Sequence, residues 1–185
     1  MGKKQKQKHM TKDELLFHLR GMSRMNLYGV GVAYRNSAVL TNHILWKSEK
    51  FKTDQFVKFN ELVNKKFNDD ESLDEINKRL KRKANFTVSF SECTLDDIPR
   101  TGNKAIDTIR VGMIDIDNEV NDMTRKYILY AYDSLMDMGF GKTRLTRIKQ
   151  KISEEITFIE TETIEFYQKE LMEEIGLLIE LPDGF

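Results

Sequence analysis

The chain reads as an all-α, or nearly all-α, protein: a helical bundle built around one long central helix with an antiparallel return helix. Three observations carry this. Apolar residues recur at alternating steps of three and four over 25 positions, at Ile106, Ile109, Met113, Ile116, Val120, Met123, Tyr127 and Tyr130. Only Val111, Ile114, Ile128 and Leu129 are apolar among the 17 residues between them, so the pattern is one greasy seam that another helix must cover. Two prolines and ten glycines in 185 residues leave room for long helices. Period-two alternation occurs once, at Phe86, Val88 and Phe90.

In chain order, residues 1–11 read as a disordered basic arm. Thr11 and Glu14 make a capping box that opens a helix with Leu15, Leu19 and Met22 on its buried face. Over 27–46, Val30, Ala33, Tyr34, Ser37, Ala38, Thr41 and Leu45 share a helical face, and the small residues Gly29, Ala33, Ser37 and Ala38 suit a close helix–helix approach. Thr53 is the N-cap of a helix striped by Phe56, Phe59, Leu62, Val63 and Phe67, which Asn68-Asp69-Asp70 breaks. Ser72 and Glu75 make a second capping box, with Leu73, Ile76 and Leu80 inward and the basic run 78–83 at the negative helix end.

The segment around 86–91 is expected to be an extended linker or a short β element. Pro99-Arg-Thr-Gly-Asn103 is a turn and the expected module boundary. From 104 to 138 only Gly112 interrupts helical residues, and such a helix spans about 52 Å. Gly139-Phe-Gly141 stops it. Leu145, Ile148, Ile152, Ile156 and Ile159 mark the return helix, and a last helix at 163–175 ends at Gly176. The expected organisation is therefore the arm 1–11, an N-terminal helical module 12–98 and a long-helix hairpin module 99–185.

Composition narrows function by exclusion. Thirty basic and 30 acidic residues cancel, so no global bias draws the chain to nucleic acid or membrane. The single cysteine, Cys93, forms no internal disulfide, which suits a reducing, cytoplasmic setting. No apolar run approaches the roughly 20 residues that span a bilayer, and the basic N-terminus has no apolar segment behind it.

No catalytic set, cofactor site or metal site is readable. Gly139-Phe-Gly-Lys-Thr143 superficially resembles a phosphate loop, but Met136 stands where the motif's first glycine belongs, and a helix precedes it instead of a strand. Asp115, Glu119 and Asp122 share a helical face near Asp117, the kind of carboxylate group a metal-dependent nuclease needs, yet they flank the seam, where charges set pairing. In an antiparallel pair Glu119 would meet Lys126 of the other helix. His9, His18 and His43 show no ligand spacing. The clusters Lys78, Arg79, Lys81, Arg82, Lys83 and Lys142, Arg144, Arg147 are the candidate nucleic-acid contacts. The seam residues Ile106, Ile109, Met113, Ile116, Val120 and Met123 are the candidate interface for a second copy, the N-terminal helices or a target.

The segment Tyr127-Ile-Leu-Tyr-Ala-Tyr-Asp-Ser-Leu-Met-Asp-Met-Gly-Phe-Gly-Lys-Thr-Arg-Leu145, with Tyr167-Gln-Lys-Glu-Leu-Met-Glu-Glu-Ile-Gly176, resembles small uncharacterised proteins of phages of Gram-positive bacteria. The resemblance covers about the last 60 residues. It implies a helix, a glycine turn, a return helix and a short third helix, and it carries no activity. Thr94-Leu-Asp-Asp-Ile-Pro-Arg-Thr-Gly102 before a long helix is also similar to the layout of phage late-transcription regulators, although the last two helices here are longer and more acidic than their helix-turn-helix.

The expectation is a non-enzymatic phage accessory protein, cytoplasmic in the host and without cofactor. It would self-associate, as a dimer, and would bind and modulate a host or defence protein or ribonucleoprotein in the manner of an anti-CRISPR or other anti-defence inhibitor. The alternatives are a nucleic-acid-binding regulator of phage transcription or replication, and a metal-dependent nuclease.

Overall fold

The structure, a computed structural model, describes residues 11–88, 104–156 and 161–179. Among them are six helices and no strand: α1 (Lys12–Glu49), α2 (Thr53–Asn68), α3 (Leu73–Ala84), α4 (Lys104–Asp137), α5 (Lys142–Ile156) and α6 (Thr161–Ile175). The expected basic arm at 1–10, the turn at 99–103 and Cys93 lie outside the described residues. So does the second half of the strand-like segment. Its first half, 86–88, is irregular chain that buries Phe86 against Tyr132, ring centroids 4.9 Å apart.

α1 is one 38-residue helix, about 57 Å long, rather than two. The Thr11–Glu14 capping box forms as its residues dictate, with the Glu14 N–H donating to Thr11 Oγ1 at 3.2 Å and the Thr11 N–H to Glu14 Oε2 at 2.8 Å. The second box does not form: Ser72 sits at the N-cap of α3 but accepts no bond through its side chain. The N-cap of α2 falls on Lys52, one residue before Thr53.

Gly139, at φ 90°, ends α4. The Phe140 N–H bonds to Leu135 C=O and the Gly139 N–H to Met136 C=O, which is the Schellman arrangement. Phe140 and Leu135 are both buried, as that motif favours. Gly139-Phe-Gly141 is therefore helix-stop chemistry, and Lys142 and Thr143 begin α5.

α1 and α4 form the most extensive helix pair. Their partners advance together along both chains, Asn26 with Glu119, Gly29 with Val120 and Tyr34 with Tyr127, so the two helices run parallel. A Cβ on Gly29 would lie 3.0 Å from Val120 Cγ2, so the absence of a side chain there lets the helices close up. Their C-terminal halves enter one core. Val39, Leu45, Phe56, Phe59, Ile76, Leu80, Leu129, Leu135, Leu145, Ile148 and Leu171 are all buried in it. Residues of both expected modules, 12–98 and 99–185, enter this one core, in which the seam of α4 meets apolar surface of α1, α2 and α3.

The N-terminal halves differ. Over 12–30 and 104–126 no described side chain is fully buried. Those stretches make a two-helix arm about 28 Å long.

Candidate interaction surfaces

The seam is covered within the chain. Tyr127 and Tyr130 are buried; Ile109, Ile116, Val120 and Met123 are half-buried; Met113 is exposed. The Ile106 side chain lies outside the described residues. Of the three covers expected for these residues, the first helix is the one in place, in a parallel pairing. Within the chain both Glu119 and Lys126 have other partners. Glu119 accepts from Asn26 Nδ2, and Lys126 reaches Asp70 Oδ1 at 2.5 Å.

Covering the seam turns the other side of α1 outward. Phe17 is 76% exposed and Tyr28 70%, with Leu16, Met25 and Leu27 also exposed; Val111 and Met113 add to this on α4. Phe17, Gly21, Arg24 and Tyr28 follow the i, i+4, i+7, i+11 spacing of one helical stripe. Among the described residues Arg20 and Arg24 make no ion pair. In the sequence, Leu15, Leu19 and Met22 already read as one helical stripe, so the pattern gives no reason to look for a second.

The basic residues separate into two groups. Arg147 is spent on structure: Nε and one terminal nitrogen hold Glu49 at 2.8 and 2.7 Å. Arg144 lies 3.6 Å from the same carboxylate and stacks over Phe140. These bonds tie α5 to the end of α1. Lys142 is exposed. On α3, Arg79 is locked by Asp133 and Glu71, whereas Lys78, Lys81, Arg82 and Lys83 are exposed and make no ion pair among the described residues.

Arg79 belongs to a buried ionic cluster. Asp133 is fully buried on α4. It accepts from Lys66 Nζ at 2.6 Å, from Arg79 Nε at 2.8 Å and from an Arg79 terminal nitrogen. Lys66 also reaches Asp137 at 3.0 Å, and Arg79 reaches Glu71 at 2.6 Å. Burial alone would raise the Asp133 carboxyl, but the bonds from Arg79 and Lys66 outweigh it and hold the group below the ordinary Asp value. Burial would lower Lys66, and Asp133 and Asp137 outweigh that too, keeping it above its ordinary value. The bond to Asp133, reinforced by Glu71 against burial, raises Arg79.

A second polar junction holds α6. His43 is stacked on Tyr167, ring centroids 3.8 Å apart, and its Nε2 is 2.9 Å from Glu170 Oε2; Lys47 holds the other oxygen at 2.9 Å. Burial lowers His43 despite the Glu170 carboxylate. His18 is exposed, edge-on to Phe17.

Asp115, Asp117, Glu119 and Asp122 are exposed along α4. Among the described residues no three His, Cys, Asp or Glu side chains converge to hold a metal ion. Successive carboxylates on one face of a straight helix lie about 5–6 Å apart and diverge, and no second helix brings ligands to them. No described helix is long and apolar enough to cross a membrane.

Fold and surfaces together describe a helical bundle carrying a projecting two-helix arm. Comparison of the chain with protein-family models, with curated proteins and with solved structures finds no match in any of the three.

Proposed function

We propose that this chain is a non-enzymatic phage accessory protein that binds and modulates a host or defence protein through its helical arm, as an anti-CRISPR or other anti-defence inhibitor does. One observation carries the reading: the outward stripe of α1 places Phe17 and Tyr28 in water on a helix whose opposite side is already packed. An exposed aromatic exposes roughly 150 Å² of costly surface, and rigid aromatics flanked by arginine are the residue types that anchor interfaces. The spacing is that of a helix laid into a groove. The expected partner has an apolar cleft edged with carboxylates that meet Arg20 and Arg24. The phage resemblance of the last 60 residues supports the setting.

The test uses the wild type and the double variant Phe17→Asp/Tyr28→Asp. Each serves as bait in host extract, and the captured protein is then purified and titrated against both. Losing two anchors at about 2 kcal/mol each predicts a fall in affinity of about 10³-fold. Equal affinity for the variant would end this assignment of the arm. Light scattering on the same two proteins tests the expected dimer. A dimeric wild type with a monomeric variant gives the stripe to a second copy instead of to a host protein.

A further inference from the structure

We propose that the exposed side of α3 and the adjoining end of α2 form a binding strip for the phosphate backbone of nucleic acid, separate from the arm. Lys78, Lys81, Arg82 and Lys83 lie within two turns of α3, and Lys65 stands across from them on α2; all five are exposed, and none makes an ion pair among the described residues. Elsewhere many cations are matched: Lys47 with Glu170, Lys126 with Asp70, Arg147 with Glu49 and Lys151 with Glu154. Three cations in the last turn of α3 complement its dipole and Lys65 complements that of α2, but Lys78 lies outside the last turn.

The surface between them is concave. One depression of about 240 Å³ is lined by Leu62, Lys65, Lys66, Glu71, Arg79, Lys83 and Asp137. A second of about 320 Å³ is lined by Glu75, Lys78, Arg79 and Arg82. Arg79 lines both. Its guanidinium is fixed by Asp133 and Glu71, which gives the strip a rigid floor. Glu71 is engaged by Arg79, leaving Glu75 as the one carboxylate of the second depression.

The chemistry of the lining selects the ligand. Among the described residues, Leu62 is the only apolar side chain in either depression. A protein partner needs an apolar core to its contact, whereas a nucleic-acid contact is polar and positively charged. No aromatic side chain among the described residues lines the strip to stack on a base. Recognition is therefore of backbone and not of sequence. DNA and RNA share that backbone.

The test is fluorescence anisotropy with labelled 20-mers of duplex DNA, duplex RNA and single-stranded DNA, read from 50 to 200 mM salt. About four phosphate contacts predict a slope near −4 in log K against log salt for duplex DNA, a few-hundred-fold loss over that range. Lys78→Gln/Arg82→Gln/Lys83→Gln is expected to flatten the slope by about 3, while Lys169→Gln on α6 leaves it unchanged. Lys78→Arg/Lys83→Arg is expected to retain binding, which separates charge from folding. Absence of binding to all three probes at 50 mM salt overturns the proposal, as does an unchanged slope in the triple variant. Competition by polyglutamate as strong as that by DNA also overturns it, in favour of an acidic protein. None of these substitutions touches Phe17 or Tyr28, so the strip and the arm succeed or fail independently.

Discussion

Replacing Asp133 by Asn tests the ionic cluster most severely. Asp133 is wholly buried and accepts from two cations, Lys66 and Arg79. Asn fills the same volume but points an NH₂ group at side chains that are themselves donors, so each cation loses a full charge partner. Lys66 keeps Asp137, which is partly exposed, and Arg79 keeps Glu71. Breaking a buried pair from one side costs about 3–5 kcal/mol. For a domain of this size 1 kcal/mol is worth about 2–4 °C, so the melting temperature should fall by about 6–20 °C. The assay is thermal unfolding by far-UV circular dichroism and calorimetry at pH 7, with Asp137→Asn alongside. Asp137→Asn should cost about 1 kcal/mol or less, because the group is partly solvated and holds one bond. The sign of the pH dependence follows from the direction of the shift. The folded carboxyl lies below its ordinary value of 3.8, so the unfolded chain binds the proton first as pH falls. Its contribution is complete above that value and is lost as pH drops through the lower folded value. The gap between wild type and Asp133→Asn should be constant from pH 5 to 8 and close in strong acid. A variant within 1 kcal/mol of wild type, or an Asp137→Asn as damaging as Asp133→Asn, would refute this reasoning.

Other substitutions follow from the same packing. Burial lowers His43 below its ordinary 6.5, so protonation favours the unfolded state, and stability full above that pH declines as pH falls through it. Protection of the α6 amides, after correction for the intrinsic pH dependence of exchange, should fall from pH 7.5 to 5.5, and His43→Gln should flatten the change. Glu49, with its side chain 1% exposed, joins α1 to Arg144 and Arg147, so Glu49→Ala should cost about 2–3 kcal/mol by thermal unfolding and loosen α5 first. A Cβ on Gly112 meets only the flexible end of Met22, so Gly112→Ala should raise arm amide protection by up to about 1 kcal/mol. Gly29→Leu, facing Val120 at close range, should lower it.

Much of the architecture is legible in the residues. The stripe of Phe56, Phe59 and Val63, the seam of α4 and the stop at Gly139 are local patterns, and local patterns set helix type and ends. The seam also announced that a cover was required. It did not name α1 as that cover, because periodicity on one helix is blind to the direction and identity of its partner. The ionic cluster left a trace that went unread. Lys66 follows Val63 by three and Phe59 by seven, on the buried stripe, and Asp133 sits inside the apolar run from Tyr127 to Leu135. A charge where the pattern demands an apolar residue is a signal of a buried partner. No such trace exists for His43 and Glu170, which are 127 positions apart and joined only by the docking of α6. The basic runs were visible, but only the fold separates Arg144 and Arg147, which hold Glu49, from the unpaired cations of α3.

Whether α1 or a second subunit covers the seam decides everything built on the arm. The most direct measurement introduces Gly29→Cys and Val120→Cys in a Cys93→Ser background and oxidises the protein at low concentration. The contact between Gly29 and Val120 is close enough for a disulfide. A parallel pairing within one chain predicts a bond that leaves the denatured, non-reduced mass at 21.7 kDa and forms equally at every dilution. Cross-linked species of twice that mass, vanishing on dilution with no internal bond left behind, would contradict it.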